Sequence, residues 1–154
     1  MYYSDLIFAD TVNGPGFRVS LFVSGCTLNC AGCFNKQAQN FRFGKPYTQE
    51  TEEAILKALS GEYISGLSIL GGDPLEKKNA PEVISLCQKV KALYPHQTIW
   101  MWSGRTLEEI QENPLLSPVL DVIDTLVDGR FVEELKDETL QYRGSANQRV
   151  LSLH

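Results

Sequence analysis

Phe17-Arg18-Val19-Ser20-Leu21-Phe22-Val23-Ser24-Gly25-Cys26-Thr27-Leu28-Asn29-Cys30-Ala31-Gly32-Cys33 runs an alternating segment straight into a loop with three cysteines. Phe17, Val19, Leu21 and Val23 alternate with Arg18, Ser20 and Phe22, which is the period of a β-strand. The segment ends at Ser24-Gly25, and the cysteines follow as C-x3-C-x2-C. Three further strand-like segments end the same way. Residues 67–70 meet Gly71-Gly72-Asp73, residues 98–102 meet Ser103-Gly104-Arg105, and residues 122–127 meet Asp128-Gly129-Arg130. Residues 149–151 are a candidate fifth strand.

Helical segments fill the intervals. Thr48 suits the N-cap of a helix carrying Ile55, Leu56 and Leu59, which Gly61 would end. Asn79 before Pro81 and Glu82 marks a second start, with Val83, Leu86, Cys87 and Val90 at helical spacing. Thr106 and Glu109 have the spacing of a capping box for a short helix stopping near Pro114. Alternating strands and helices predict a parallel α/β sheet. In such folds ligands bind at the C-terminal ends of the strands, where glycine allows close approach to the backbone. A complete eight-stranded barrel takes about 250 residues. A single domain over residues 1–154 falls short of that. A curled sheet of this length is therefore an incomplete, partial parallel β/α barrel with one side open.

The formal net charge of −5 argues against nucleic acid as the main partner, because phosphate binding needs a basic face. The N-terminus shows no cationic segment followed by an apolar run, and no apolar run is long enough to span a bilayer. The expected location is cytoplasmic, where clustered cysteines serve metals or catalysis more often than disulfides.

Three thiolates in one short loop can hold three irons of a cubane and leave the fourth open to a ligand. A structural zinc site wants four ligands. The remaining cysteine, Cys87, sits on a helical apolar stripe, and His96 and His154 have no partner at ligand spacing. A bacterial ferredoxin run needs C-x2-C-x2-C and a fourth cysteine followed by proline, which is also missing. Elsewhere the bland readings prevail. Cys87, Trp100, Met101 and Trp102 read as core, and Glu50, Glu52 and Glu53 as a solvated first turn. For Phe34, core and cofactor contact stand level, as do turn and pocket roles for Asp128. Residues 143–148 either cover the site or meet a partner.

The C-x3-C-x2-C loop after the first strand resembles the radical S-adenosylmethionine superfamily. Gly14-Pro15-Gly16-Phe17-Arg18 is similar to the segment preceding the cluster loop in glycyl-radical enzyme activating enzymes. Gly71-Gly72-Asp73-Pro74 matches the superfamily's glycine-glycine-acid motif. Cys33-Phe34-Asn35, Trp102-Ser103-Gly104, Val127-Asp128-Gly129 with Phe131, and Arg143-Gly144-Ser145 with Asn147-Gln148 resemble the activating-protein family of anaerobic ribonucleoside-triphosphate reductase. Gly32 departs from the wider superfamily, which often has an aromatic residue there, and fits this subfamily.

The resemblance implies an oxidoreductase with Cys26, Cys30 and Cys33 as ligands of a [4Fe–4S] cluster. It implies S-adenosylmethionine as cosubstrate, held by Gly32, Cys33, Phe34, Gly71, Gly72 and Asp73. In this reading Asp73 accepts a hydrogen bond from the methionine ammonium, and Gly32 and Phe34 lie near adenine. The implied chemistry is reductive cleavage to methionine and a 5′-deoxyadenosyl radical, which abstracts hydrogen from a glycine of the reductase. The cofactors perform the bond cleavage, so no catalytic acid–base pair is required, and the sequence shows none. A low-potential donor such as flavodoxin would supply the electron. Activation of a different glycyl-radical enzyme, a small-molecule substrate, and a metal-stabilised interaction module remain open on the sequence alone.

Overall fold

The computed structural model describes residues 1–33 and 36–154. Its strands are β1 (Tyr2–Asp10), β2 (Phe17–Val23), β3 (Lys45–Pro46), β4 (Ile64–Gly71), β5 (Thr98–Ser103), β6 (Thr125–Asp128) and β7 (Arg149–Ser152). They form one sheet in the order β3-β1-β2-β4-β5-β6-β7. The sheet is open, with β3 and β7 at its two edges. The helices are α1 (Gln49–Leu59), α2 (Ala80–Leu93) and α3 (Leu107–Glu112). None of the helices is long and apolar enough to cross a membrane.

The expectation of a parallel sheet holds for the centre only. β2, β4, β5 and β6 are mutually parallel. At the flanks the pairings are antiparallel: β1 with β2, β3 with β1, and β7 with β6. Neither β1 nor β3 has a clean sequence signature: β1 places Leu6, Ile7 and Phe8 consecutively, and β3 is two residues long. The strand expected over residues 122–127 begins only at Thr125, because Val122 closes a 3-10 turn and the next two residues lead into the strand.

Cross-strand register sorts the central strands into two faces, since paired residues share a side of the pleat. The row Leu21, Ile69, Met101 and Leu126 joins the core beneath the helices. There it packs with Ile55 and Leu59 of α1, Leu86, Cys87 and Val90 of α2, and Ile110 of α3. Cys87 is fully buried, and burial pushes its thiol up to about 12. The adjacent row, Ser20, Ser68, Trp100 and Thr125, lies on the opposite face.

The caps follow local chemistry. Thr48 and Thr51 form a reciprocal capping box on α1, and Thr106 and Glu109 form one on α3. Helix α1 ends at Leu59, just before the expected Gly61, with Ser60 as its C-cap. Asn79 precedes α2 but makes no side-chain cap. Its amide instead donates to the Ser24 and Asp73 carbonyls, tying α2 to the loops after β2 and β4.

Arg18 is completely buried on the face of β2 that carries Ser20. Its Nε donates to Ser68 Oγ at 2.8 Å, and its Nη2 to the Leu67 and Thr98 carbonyls at 3.0 and 2.7 Å. The guanidinium also lies 5.9 Å from the Trp100 ring centre. Burial lowers its pKa to about 10, and the Asp124 carboxylate opposes that fall. One side chain thus joins the starts of three parallel strands.

Candidate functional site

The loops after β2, β4, β5 and β6 converge on one cavity of about 380 Å³. Cys26, Cys30 and Cys33 all line it, each partly exposed. The cysteine loop is held at its root by the Gly25 amide donating to the Ala38 carbonyl at 2.6 Å. The Cys26 amide donates to the Gln39 carbonyl. Beyond that the chain turns through left-handed backbone at Asn29 (φ 49°) and Gly32 (φ 73°). The Cys33 amide closes a turn on the Cys30 carbonyl at 3.1 Å.

The donor set fits an iron–sulfur cluster. Three soft thiol ligands surround one space, and among the described residues no fourth cysteine or histidine lines it. Among the described residues, no three His, Cys, Asp or Glu side chains are gathered to hold a single metal ion. A cubane does not require that convergence, because each thiolate ligates a different iron. Burial, then the Asp73 and Glu76 carboxylates, pushes the Cys26 thiol up. Bonding to iron displaces such a proton. Two cations share this field: Arg105 interacts electrostatically with Cys26, and Arg130 with Cys30.

Gly71, Gly72 and Asp73 reach the cavity at the end of β4. Their side-chain requirements are set by the protein itself. Gly71 has φ 113°, in the left-handed region that favours glycine. A Cβ on Gly72 would stand 2.6 Å from the Gly25 carbonyl and 2.7 Å from the Ala38 carbonyl. Gly72 therefore makes room for the root of the cysteine loop.

Asp73 is fully buried, and protein groups surround its carboxylate. Oδ1 accepts from the Leu75 amide and Ser103 Oγ, each at 2.9 Å. Oδ2 accepts from the Gly104 amide at 2.9 Å and lies 3.0 Å from Arg105 Nη1. Burial raises the Asp73 pKa, with Arg105 and these donors opposing the rise. Arg105 continues to Glu76 at 2.8 Å, and Glu76 accepts from the Thr27 amide and hydroxyl. This network joins the ends of β4 and β5 to the cysteine loop. Sequence reasoning missed Glu76, Ser103 and Arg105 in this role; for Ser103 and Arg105 the signal was their position beside the strand-end Gly104.

Several other residues resolve. Gly32 is exposed outside the cavity lining, and a Cβ there would meet the Glu133 side chain. Phe34 lies outside the described residues. Trp102, expected in the core, lines the cavity, and its Nε1 donates to the Tyr142 carbonyl at 2.7 Å. Met101 and Cys87 are core as expected. Asp128 is buried with its carboxylate on Arg149 and the Leu107 amide, so it braces α3 and β7. Arg143, Gly144 and Gln148 line the cavity. Gln148 accepts from the Gly144 and Ser145 amides and donates to the Gly129 carbonyl, which holds this segment against the end of β6.

Residues 12–151 match the family model described as a 4Fe-4S single cluster domain. The chain is 44% identical over 152 residues to the anaerobic ribonucleoside-triphosphate reductase-activating protein of Salmonella typhimurium, covering 97% of each chain. It is 43% identical to the protein of that name from Escherichia coli K12, again over 97% of each. The Enterobacteria phage T4 protein of that name is 40% identical, over 99% of this chain and 94% of its own.

Proposed function

This chain belongs to the family of anaerobic ribonucleoside-triphosphate reductase-activating proteins and carries a 4Fe-4S single cluster domain, and from that membership we propose the activity it performs. It is an oxidoreductase-type activase that uses a [4Fe–4S] cluster and S-adenosylmethionine to place a glycyl radical on anaerobic ribonucleoside-triphosphate reductase. The observation that carries this reading is the convergence of Cys26, Cys30 and Cys33 with the Gly71-Gly72-Asp73 turn on one cavity.

When bound, the cluster supplies one electron for cleavage of the sulfonium, and the adenosyl fragment takes a hydrogen atom from a glycine Cα of the reductase. The chain's own residues bind, orient and shield. Cys26, Cys30 and Cys33 would hold the cluster, and three protein ligands would leave a site on it for the cosubstrate. Gly71, Gly72 and Asp73 present main-chain groups to its methionine part. The Asp73 carboxylate, engaged by Ser103, Gly104 and Arg105, holds that turn in place instead of meeting the ammonium itself. The family pattern would assign Gly32, Cys33 and Phe34 to the adenosyl end; of the described pair, Cys33 lines the cavity and Gly32 does not. Trp102 and Tyr142 give the cavity an apolar wall that excludes water from a reactive fragment.

In this reading the open sheet is a partial barrel of the radical S-adenosylmethionine type, and residues 1–154 act as one domain. The reductase is its protein substrate, a low-potential donor such as flavodoxin reduces it, and the setting is cytoplasmic. Electron paramagnetic resonance of the anaerobically reduced protein, mixed with S-adenosylmethionine and the reductase, tests the activity. The expected result is loss of the reduced-cluster signal and growth of a glycyl-radical doublet on the reductase. A reduced cluster that persists with no radical on the reductase overturns it.

A further inference from the structure

Between Asp10 and Glu50 the chain contains no carboxylate side chain, although the whole carries nineteen against fourteen lysines and arginines. The entire cysteine loop lies within that interval. Lys36, Arg42 and Lys45 follow the loop, and Lys77 and Lys78 adjoin it from the turn after β4. All five are exposed. Among the described residues none of the five takes part in an ion pair.

The fold brings Lys78 to the segment that roots the cysteine loop, while Lys45 stands on edge strand β3 with Asp5 in the same surface recess. The ammonium of Lys78 lies 5.1 Å from the centre of the Phe41 ring. That ring in turn sits on Gly25, where a Cβ would collide with it. Ala38 and Gln39 hold the Gly25 and Cys26 amides. Asn79, next to Lys78, bonds the Ser24 carbonyl at 3.0 Å. None of the five cations lines the cavity that the thiols face. The patch is therefore on the outside of the loop, clear of the space a cosubstrate or a glycine-bearing segment would enter.

Resting on the reading above, we infer that this basic surface is the docking site of an acidic one-electron donor protein. A substrate must reach the cavity, but an electron need only arrive close to the cluster, so the back of the loop suffices. Charge complementarity selects the occupant: an anionic protein is drawn to this cluster of exposed cations on a chain whose net charge is −5. One electron leaves the donor and enters the cluster, and no bond is made or broken.

The test uses the cluster-loaded protein and reduced flavodoxin as an acidic donor. Stopped-flow absorbance measures cluster reduction at rising salt, and calorimetry measures donor binding. Wild-type protein is expected to be reduced more slowly as salt rises. Arg42→Glu/Lys77→Glu is expected to slow reduction at low salt about tenfold, weaken binding comparably, and flatten the salt dependence. Lys57→Glu, on α1 away from the loop, is expected to change either by less than about twofold. Reduction by photoexcited deazaflavin reports whether the cluster itself is intact and is expected to be equal in all three proteins. Unchanged flavodoxin kinetics in the double variant would overturn the inference. So would an equal loss with deazaflavin, or a salt-sensitive interaction that the double variant loses with the reductase and keeps with flavodoxin. Absence of any cluster in wild type would instead strike the activase reading, so the two failures are separable.

Discussion

Gly72 and Gly104 both lack a side chain at the rim of the cavity, but different atoms occupy the space. A Cβ on Gly72 meets the backbone of Gly25 and Ala38, whereas one on Gly104 meets the terminal methyl group of Leu28. Backbone cannot step aside and a leucine can rotate. Gly72→Val is expected to cost at least about 3 kcal/mol and to lose iron, and Gly104→Ala about 1 kcal/mol with iron retained. Iron analysis beside thermal melts checks the pair; full iron loading in Gly72→Val would refute the packing argument. Sequence reasoning assigned Gly72 to cofactor approach, which implied that the variant would lose cosubstrate binding more than cluster assembly. The cysteines divide in a similar way. Cys26→Ala, Cys30→Ala and Cys33→Ala are each expected to lose the [4Fe–4S] absorbance of the anaerobically purified protein. Cys87→Ala is expected to keep it, at a cost of about 1 kcal/mol for a small core cavity. Cluster loss in Cys87→Ala, or a full complement in Cys30→Ala, would contradict the assignment.

At the scale of elements, the parallel core is stitched at opposite ends by two polar assemblies. Arg18 joins β2, β4 and β5 at their beginnings, and Asp73, Arg105 and Glu76 join the loops at their ends. Arg18→Leu leaves the Leu67 and Thr98 carbonyls without this donor in a buried site. An unsatisfied buried group costs about 1–3 kcal/mol. We expect a loss of about 2–4 kcal/mol in urea unfolding, with cluster content normal at low temperature. A variant as stable as wild type would show that removing the buried charge offsets the lost hydrogen bonds. The capping residues were legible because a capping box is a local pattern three residues long. The Arg18 network was not, since its partners on β4 and β5 lie 49 to 80 residues away in sequence.

For the whole molecule, the decisive fact is that the sheet stays open between β3 and β7. A reactive site needs protection from water, and the open sheet leaves one side without a strand. In the proposed activity the reductase's glycine-bearing segment completes that wall, being substrate and lid together. The isolated protein is expected to cleave S-adenosylmethionine slowly and without coupling. With the reductase glycine deuterated at Cα, deuterium is expected in 5′-deoxyadenosine by mass spectrometry. A glycyl radical formed with no such transfer would exclude direct abstraction.

The cysteine spacing, the strand-end glycines and the helix caps are short-range patterns, and each was readable before any coordinates. They were enough for a parallel central sheet and a shared strand-end site, because period and turn chemistry are properties of adjacent residues. The antiparallel flanks were decided by tertiary structure, since β1 follows no clean alternation and finds its place only by pairing with β2 and β3. The same holds for Asp73, whose carboxylate reads as a ligand-binding group in sequence. Folding surrounds it with Ser103, Gly104 and Arg105, and a buried carboxylate must take the donors that enclose it. The basic surface behind the cysteine loop also emerges only in space. Its two halves, residues 36–45 and 77–78, are separated by α1 and β4 in the chain and meet through Phe41 and Lys78. Sequence records which charges exist; packing decides which of them stand together.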